Sequence, residues 1–217
     1  MVTGRPVLGE VLNVIPYTIE LTLAAVLLGA AIGVPLGVWS ALHRNRFIDY
    51  ATRIGSLLGL SFPAFVMAVM LLLVFAIHFP WFPVISSGGG GSLGERLLHL
   101  ALPAVNLGII MAAYITRVTR SSMLEVLNQD YVRTAWAKGL TARAVVLHHA
   151  LRNALIPLIT VLGGSLPALL SGAAISEYVF SWPGMGRMAV DAVFARDYPV
   201  TMGLLLMSSF LIVIGNL

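Results

Sequence analysis

Apolar positions in this chain run in long unbroken blocks rather than alternating with polar ones. Five stand out, at residues 19–42, 54–79, 97–115, 154–175 and 200–217. Each is 18 to 26 residues long, and at about 1.5 Å per residue that length matches a hydrocarbon core of roughly 30 Å. Buried helices of a soluble core seldom lack a polar face five times over. The pattern therefore predicts an all-α integral membrane protein, a polytopic helical bundle with five transmembrane segments. The first block is too long for a secretory signal, and no basic leader precedes it.

The polar connections fix an orientation. Residues 43–53 carry Arg44, Arg46 and Arg53, and residues 116–153 carry Arg117, Arg120, Arg133, Lys138, Arg143 and Arg152. The other side has only Arg5, Arg96, Arg187 and Arg196. Nine basic residues against four put 43–53 and 116–153 in the cytoplasm and the N-terminus of this chain outside. An outside N-terminus points to a preceding membrane helix, and so to an internal piece of a longer, six-helix protein.

Composition sharpens the picture. Of 217 residues, 59% are apolar and only 10% are Asp, Glu, Lys or Arg, where a soluble domain carries roughly 25% charged residues. Mean hydropathy is +0.93, so lipid is the solvent and disorder is excluded. With no cysteine, disulfides and thiolate metal sites are unavailable. The net charge of +4 reads as membrane orientation, not as a nucleic-acid surface.

Small residues inside the blocks predict close helix contacts. Gly29, Gly33 and Gly37 recur at spacing four, as do Gly55 and Gly59, each set giving a smooth strip for helix packing. A pore-lining role is the alternative. Pro35, Pro63, Pro103, Pro157 and Pro167 fall inside blocks, where kinks are expected. The run Gly90-Gly91-Ser92-Leu93-Gly94 formally matches a nucleophile elbow, but a glycine run supplies no preceding strand. His148 and His149 are adjacent, point to different helix faces and lack a third ligand. No catalytic residue and no metal site is expected.

The most informative stretch is 117–157. Ser122-Met123-Leu124-Glu125 has the form of a capping box. Asp130 is placed to cap a short helix over 131–138, which Gly139 ends in a left-handed turn, and Thr141 to cap a third helix running into the fourth block. Trp136 on a short polar helix with no core of its own suggests a protein contact. Headgroup anchoring of Trp136 and the arginines is the alternative.

The run from Asp130 through Arg133, Thr134, Ala135, Trp136, Lys138 and Gly139 to Leu140, followed by His149-Ala150-Leu151-Arg152-Asn153-Ala154-Leu155-Ile156-Pro157, resembles the cytoplasmic loop of binding-protein-dependent ABC importer permeases, and more narrowly the dipeptide/oligopeptide/nickel permease family. Gly4-Arg5-Pro6-Val7 with Glu10, and Glu177-Tyr178-Val179-Phe180-Ser181-Trp182-Pro183-Gly184-Met185-Gly186-Arg187 with Ala195-Arg196-Asp197-Tyr198-Pro199-Val200, resemble two further segments of that family. One departure is visible. Where the general importer loop has Glu-Ala-Ala before its glycine, this chain has Arg133-Thr134-Ala135, so a glutamate's role is not carried over.

The resemblance implies a type I ABC importer fold with the family's first helix missing and its last cut short. It implies a permease of the bacterial or archaeal cytoplasmic (inner) membrane, translocating a small solute, with di- and oligopeptides favoured. The implied partners are a second permease subunit, two ATPase subunits, an extracytoplasmic solute-binding protein and the lipid bilayer. ATP and Mg would be bound by the ATPase subunits, with no cofactor in this chain. The only lysine, Lys138, lies between Ala137 and Gly139, which is no P-loop. Residues 117–153 are then the coupling loop, with Tyr131, Arg133, Thr134, Ala135, Trp136, Lys138, Gly139, Leu140 and Arg143 facing the ATPase. Residues 176–199 are an extracytoplasmic loop or gate, with Glu177, Phe180, Trp182, Pro183, Gly184, Arg187, Asp197 and Tyr198 toward the binding protein. Trp182 is expected at interface depth in a turn at 181–184.

Two rival readings remain. A secondary transporter or channel would carry ionisable groups at mid-membrane, whereas Glu20, His78 and His99 lie near block ends. An intramembrane hydrolase using Ser92 or Ser165 lacks a base placed at the same depth.

Overall fold

The fold is seen in a computed structural model that describes residues 6–86 and 92–216, and their side chains except at 161, 164–172, 215 and 216. Among these residues every regular element is helical. In chain order they are α1 (Val7–Leu42), α2 (Phe47–Ser61), α3 (Ala64–Leu72), α4 (Leu93–Leu127), α5 (Asp130–Ala137), α6 (Ala142–Ala144), α7 (Arg152–Val179), α8 (Met185–Phe194) and α9 (Tyr198–Asn216). Two π-helical stretches extend the list: Leu73–His78 continues α3, and Val145–Leu151 joins α6 to α7.

By length and composition α1 and α4 each suffice to cross a membrane, and α2 with α3 and its π-helical continuation counts as a third only if the broken pair is one span. Between them α2 ends at Ser61, because Pro63 stands at φ −58° and ψ 137° as the residue before α3 and has no amide to continue α2. The expected kink at Pro63 is thus a break. At Pro103 the helix continues unbroken. In α9 the apolar stretch among the described side chains is shorter, Tyr198–Ile214. The fourth block falls on α7, where several side chains, those of Ser165 and Pro167 included, lie outside the described residues.

Two further expectations are corrected at helix starts. No helix begins at Ser122, since α4 runs through it to Leu127 and buries its side chain. With no glycine or proline between residues 109 and 127, nothing stops α4 at the end of the apolar block. The box that does form is Ser92 with Glu95. The Glu95 amide donates to Ser92 Oγ (3.4 Å), and the Ser92 amide to Glu95 Oε2 (3.1 Å). Its neighbours Gly90 and Gly91 lie outside the described residues.

The chain divides into two compact units, one of residues 1–27, 62–108 and 164–217, the other of 28–61 and 109–163. In the first, Trp182 is buried with Leu21, Ala25, Leu100, Ala104, Leu107 and Ala173. A second cluster joins Val11 to Met185, Ala192, Val200 and Leu204. A third sets Phe180 against Ala68, Leu71, Ala76 and Leu102. In the second unit Ala41 and Met123 pack on Val146, Ala150 and Ala154.

Small residues set the approach of α1 to α4 within that unit. A Cβ added at Gly33 would stand 2.8 Å from the Ala112 carbonyl oxygen and from Ile115 Cβ, and one at Gly37 2.6 Å from Thr119 Cβ. Gly29 meets Met111 and Ala112 in the same way, and Gly59 meets Ala113 at 3.1 Å. Gly55 is the correction to the expected strip, because nothing lies within 4 Å of the position its Cβ would take. It lines an open cleft with Ile32, Leu36 and Ile109 instead.

Candidate functional site

The stretch from α5 to the start of α7 forms a knob with its own small core. Val132 and Ala135 on α5 are buried against Val145, with Val126 and Leu127 packed beside them. This corrects the expectation of a helix without a core, and it removes Ala135 from the surface residues. The helix is amphipathic, and every third or fourth residue turns inward.

Its ends are chemically defined. Gln129 occupies the capping position without a side-chain cap, so Asp130 is the first helical residue and not the cap expected of it. There its charge complements the helix dipole, and it pairs with Arg133 at 3.4 Å. At the other end Gly139 takes φ +75°. The Gly139 amide donates to the Trp136 carbonyl (2.9 Å) and the Leu140 amide to the Ala135 carbonyl (3.4 Å), which is a Schellman turn. The Ala144 amide then donates to Thr141 Oγ1 (3.4 Å), capping α6 as the sequence predicts.

What remains outside the knob is a mixed surface. Trp136 is 47% exposed, Tyr131 and Leu140 are exposed, and so are Arg133, Thr134, Lys138 and Arg143. Asn153 Nδ2 donates to the Tyr131 hydroxyl (2.9 Å) and ties α5 to the first turn of α7. An exposed Trp flanked by arginines and a lysine on a rigid support is suited to a protein partner.

In the other unit, residues 177–187 make a buried lock. Glu177 near the end of α7 is fully buried. Its Oε1 accepts from Thr18 Oγ1 (2.6 Å), and its Oε2 accepts from the amides of Gly186 (2.7 Å) and Arg187 (3.1 Å). Thr18 Oγ1 in turn accepts from the Met185 amide (2.8 Å). The free amides at the start of α8 are therefore satisfied by α7 and α1, not by Gly184, which has no side chain to offer. A Cβ at Gly184 would collide with the Glu177 carboxylate, and one at Gly186 with Ala174.

The turn lies one residue earlier than expected, with Ser181 at φ 57° and its carbonyl accepting from Arg187 Nη1. Trp182 is fully buried, edge-on to Tyr17, and its indole N–H donates to the Tyr17 carbonyl (2.9 Å). Phe180 is likewise buried, so neither faces a partner. Pro183 and Arg187 are half-buried, and Tyr198 is exposed. Asp197 caps α9 by accepting from the Val200 amide (3.4 Å).

A pair that sequence reasoning missed holds the second unit. Asp49 is fully buried. Arg120 grips it with both arms, Nε to Oδ1 at 2.6 Å and Nη2 to Oδ2 at 2.9 Å. Ser40 Oγ and the Asn45 amide add bonds at 2.7 and 3.0 Å. The partners lie 71 residues apart, so each reads in the sequence only as a connecting-segment charge. In the first unit Arg96 pairs with Glu20 in the same forked way.

The fold is that of type I ABC importer permeases. It matches a solved amino acid ABC transporter with a TM-score of 0.69 at 16% identity, covering 96% of this chain and 90% of that one. It also matches the MetNI methionine ABC transporter in an inward-facing conformation, with a TM-score of 0.74 at 18% identity, covering 98% and 94%. The model of the family described as "binding-protein-dependent transport system inner membrane component" matches residues 33–217, and the chain belongs to that family. Among curated relatives, it is 41% identical to the oligopeptide transport system permease protein AppB of Bacillus subtilis (strain 168), over 99% of this chain and 69% of that one. It is 39% identical to the dipeptide transport system permease protein DppB of Escherichia coli (strain K12), over 98% and 70%.

Proposed function

We propose that this chain is the permease subunit of an ATP-driven importer of di- and oligopeptides, working with a second permease subunit, two ATPase subunits and an extracytoplasmic solute-binding protein. The observation that carries the reading is the knob at 130–144. It presents Trp136, Leu140, Arg133, Lys138 and Arg143 outward from a buried core and a capped glycine turn. Such a surface suits a cleft on a cytoplasmic ATPase. A rigid knob passes on a push that a flexible loop would absorb, and so biases a two-state bundle from the nucleotide side.

The peptide assignment is supported by the names of the relatives at about 40% identity over nearly the whole chain. Residues 176–199 act as a structural closure of the outer face and not as a solute site, since Glu177, Phe180 and Trp182 are consumed by internal bonds and packing. The test is uptake of a labelled dipeptide into membrane vesicles holding the complete transporter. Uptake that requires ATP and survives a proton uncoupler supports the reading. Uptake that follows the proton gradient without ATP favours a secondary transporter and sinks it.

A further inference from the structure

Arg53 on α2 and Arg117 and Arg120 on α4 line one cleft of about 440 Å³, together with Tyr114, Leu57 and Val118. Asp49 neutralises Arg120, and among the described residues no carboxylate pairs with Arg53 or Arg117. The cleft thus keeps two cations without a carboxylate partner, Arg53 lying over the Tyr50 ring at 6.0 Å. Its chain position is the membrane boundary: Arg53 is the last polar residue before the apolar block at 54, and Arg117 follows two residues after the block that ends at 115. Beside it α2 exposes Phe47, Tyr50, Ile54, Leu57 and Leu58, an apolar stripe at helical spacing that suits acyl chains.

We propose that this cleft binds the phosphodiester headgroup of an anionic phospholipid, with the acyl chains lying along the exposed stripe of α2. Arginine forks match phosphate oxygens bidentately. A basic pocket between spanning helices at the cytoplasmic boundary is where anionic headgroups are held. The phenol of Tyr114 and the apolar Leu57 and Val118 suit the glycerol region below the phosphate. The occupant is a lipid and not a soluble anion, because the two cations open onto an apolar surface. The site does not depend on the direction of transport or on the solute.

Native mass spectrometry of the full protein, taken from its own membrane into micelles with equal phosphatidylglycerol and phosphatidylcholine, tests it. The unaltered protein retains phosphatidylglycerol selectively. R53Q/R117Q loses that selectivity by roughly 25-fold, at about fivefold per arginine, while R53K/R117K, which keeps the charges without the forks, loses less. R44Q/R46Q, which removes two exposed charges from the same connection, leaves it unchanged. Equal retention by R53Q/R117Q, or equal loss in R44Q/R46Q, overturns the proposal. So does displacement of the lipid from the unaltered protein by millimolar inorganic phosphate, which would make the site one for a free anion. If Leu57→Cys crosslinks to another subunit, protein covers the cleft and the proposal also fails.

Discussion

Gly33 and Gly37 stand where α1 meets α4, and the backbone distance there is too short for a side chain. In lipid such contact comes from dispersion and not from the hydrophobic effect, so it falls off as soon as the helices separate. Gly33→Leu should cost about 1–3 kcal/mol by overpacking, read as a lower unfolding temperature in detergent. Gly55→Leu, with no neighbour to displace, should leave that temperature unchanged. Glu177 makes a second residue-scale case. Replacing it with Ala strands the Gly186 and Arg187 amides and the Thr18 hydroxyl in a buried place. About 1–3 kcal/mol of stability should be lost for such groups, in the same thermal measurement.

At the scale of elements, the knob is the part most legible in the sequence, because its signals are local. Glycine at a helix end and a Thr three residues before a free amide depend on neighbours a few positions away. Trp136→Asp and Gly139→Pro should each abolish co-purification of the ATPase while membrane insertion stays normal. The first removes the exposed apolar anchor, and the second demands φ near −65° where +75° is needed. Recovery of the ATPase at normal yield with either variant would count against a coupling role. The Ser122 box shows where local reading fails. A cap pattern is meaningful only if the helix begins there, and α4 runs through it.

The Asp49–Arg120 fork is an element-scale device of the opposite kind, invisible without the fold. It pins α2 and the turn before it to α4. Either Asp49→Asn or Arg120→Gln alone should cost about 2–3 kcal/mol, since each leaves its partner's charge unmatched. The double variant should cost less than the sum of the two, and additive losses in a thermal double-mutant cycle would mean the pair is not coupled.

For the whole molecule, lipid sets the terms. The exposed Leu, Ile, Phe and Val side chains along α1, α2 and α9 would be an aggregation surface in water and are ordinary in a bilayer. If the permease reading holds, removal of the ATPase subunits should stop dipeptide uptake in vesicles entirely, while residual uptake at an undiminished rate would mark a channel. The membrane chain contributes no nucleotide chemistry of its own to that cycle in this reading. Its part is to hold two arrangements whose balance ATP and loaded binding protein shift.

The sequence by itself determined the membrane class, the helical composition and the capped glycine turn at 139. Block length and missing charge act through the bulk composition, and the glycine turn through a few neighbouring residues, so none of the three needs a distant contact. Tertiary structure alone decided that Trp182 and Phe180 are core residues, that Glu177 caps a helix it does not belong to, and that Asp49 answers Arg120. The polar ones among these bring residues such as Thr18 and Glu177, or Asp49 and Arg120, from far apart in the chain to within 3 Å, which hydropathy does not encode. A tryptophan beside a proline in an outer segment reads as an interfacial anchor until its indole finds the Tyr17 carbonyl, because burial is set by what packs over a residue and not by the residue itself.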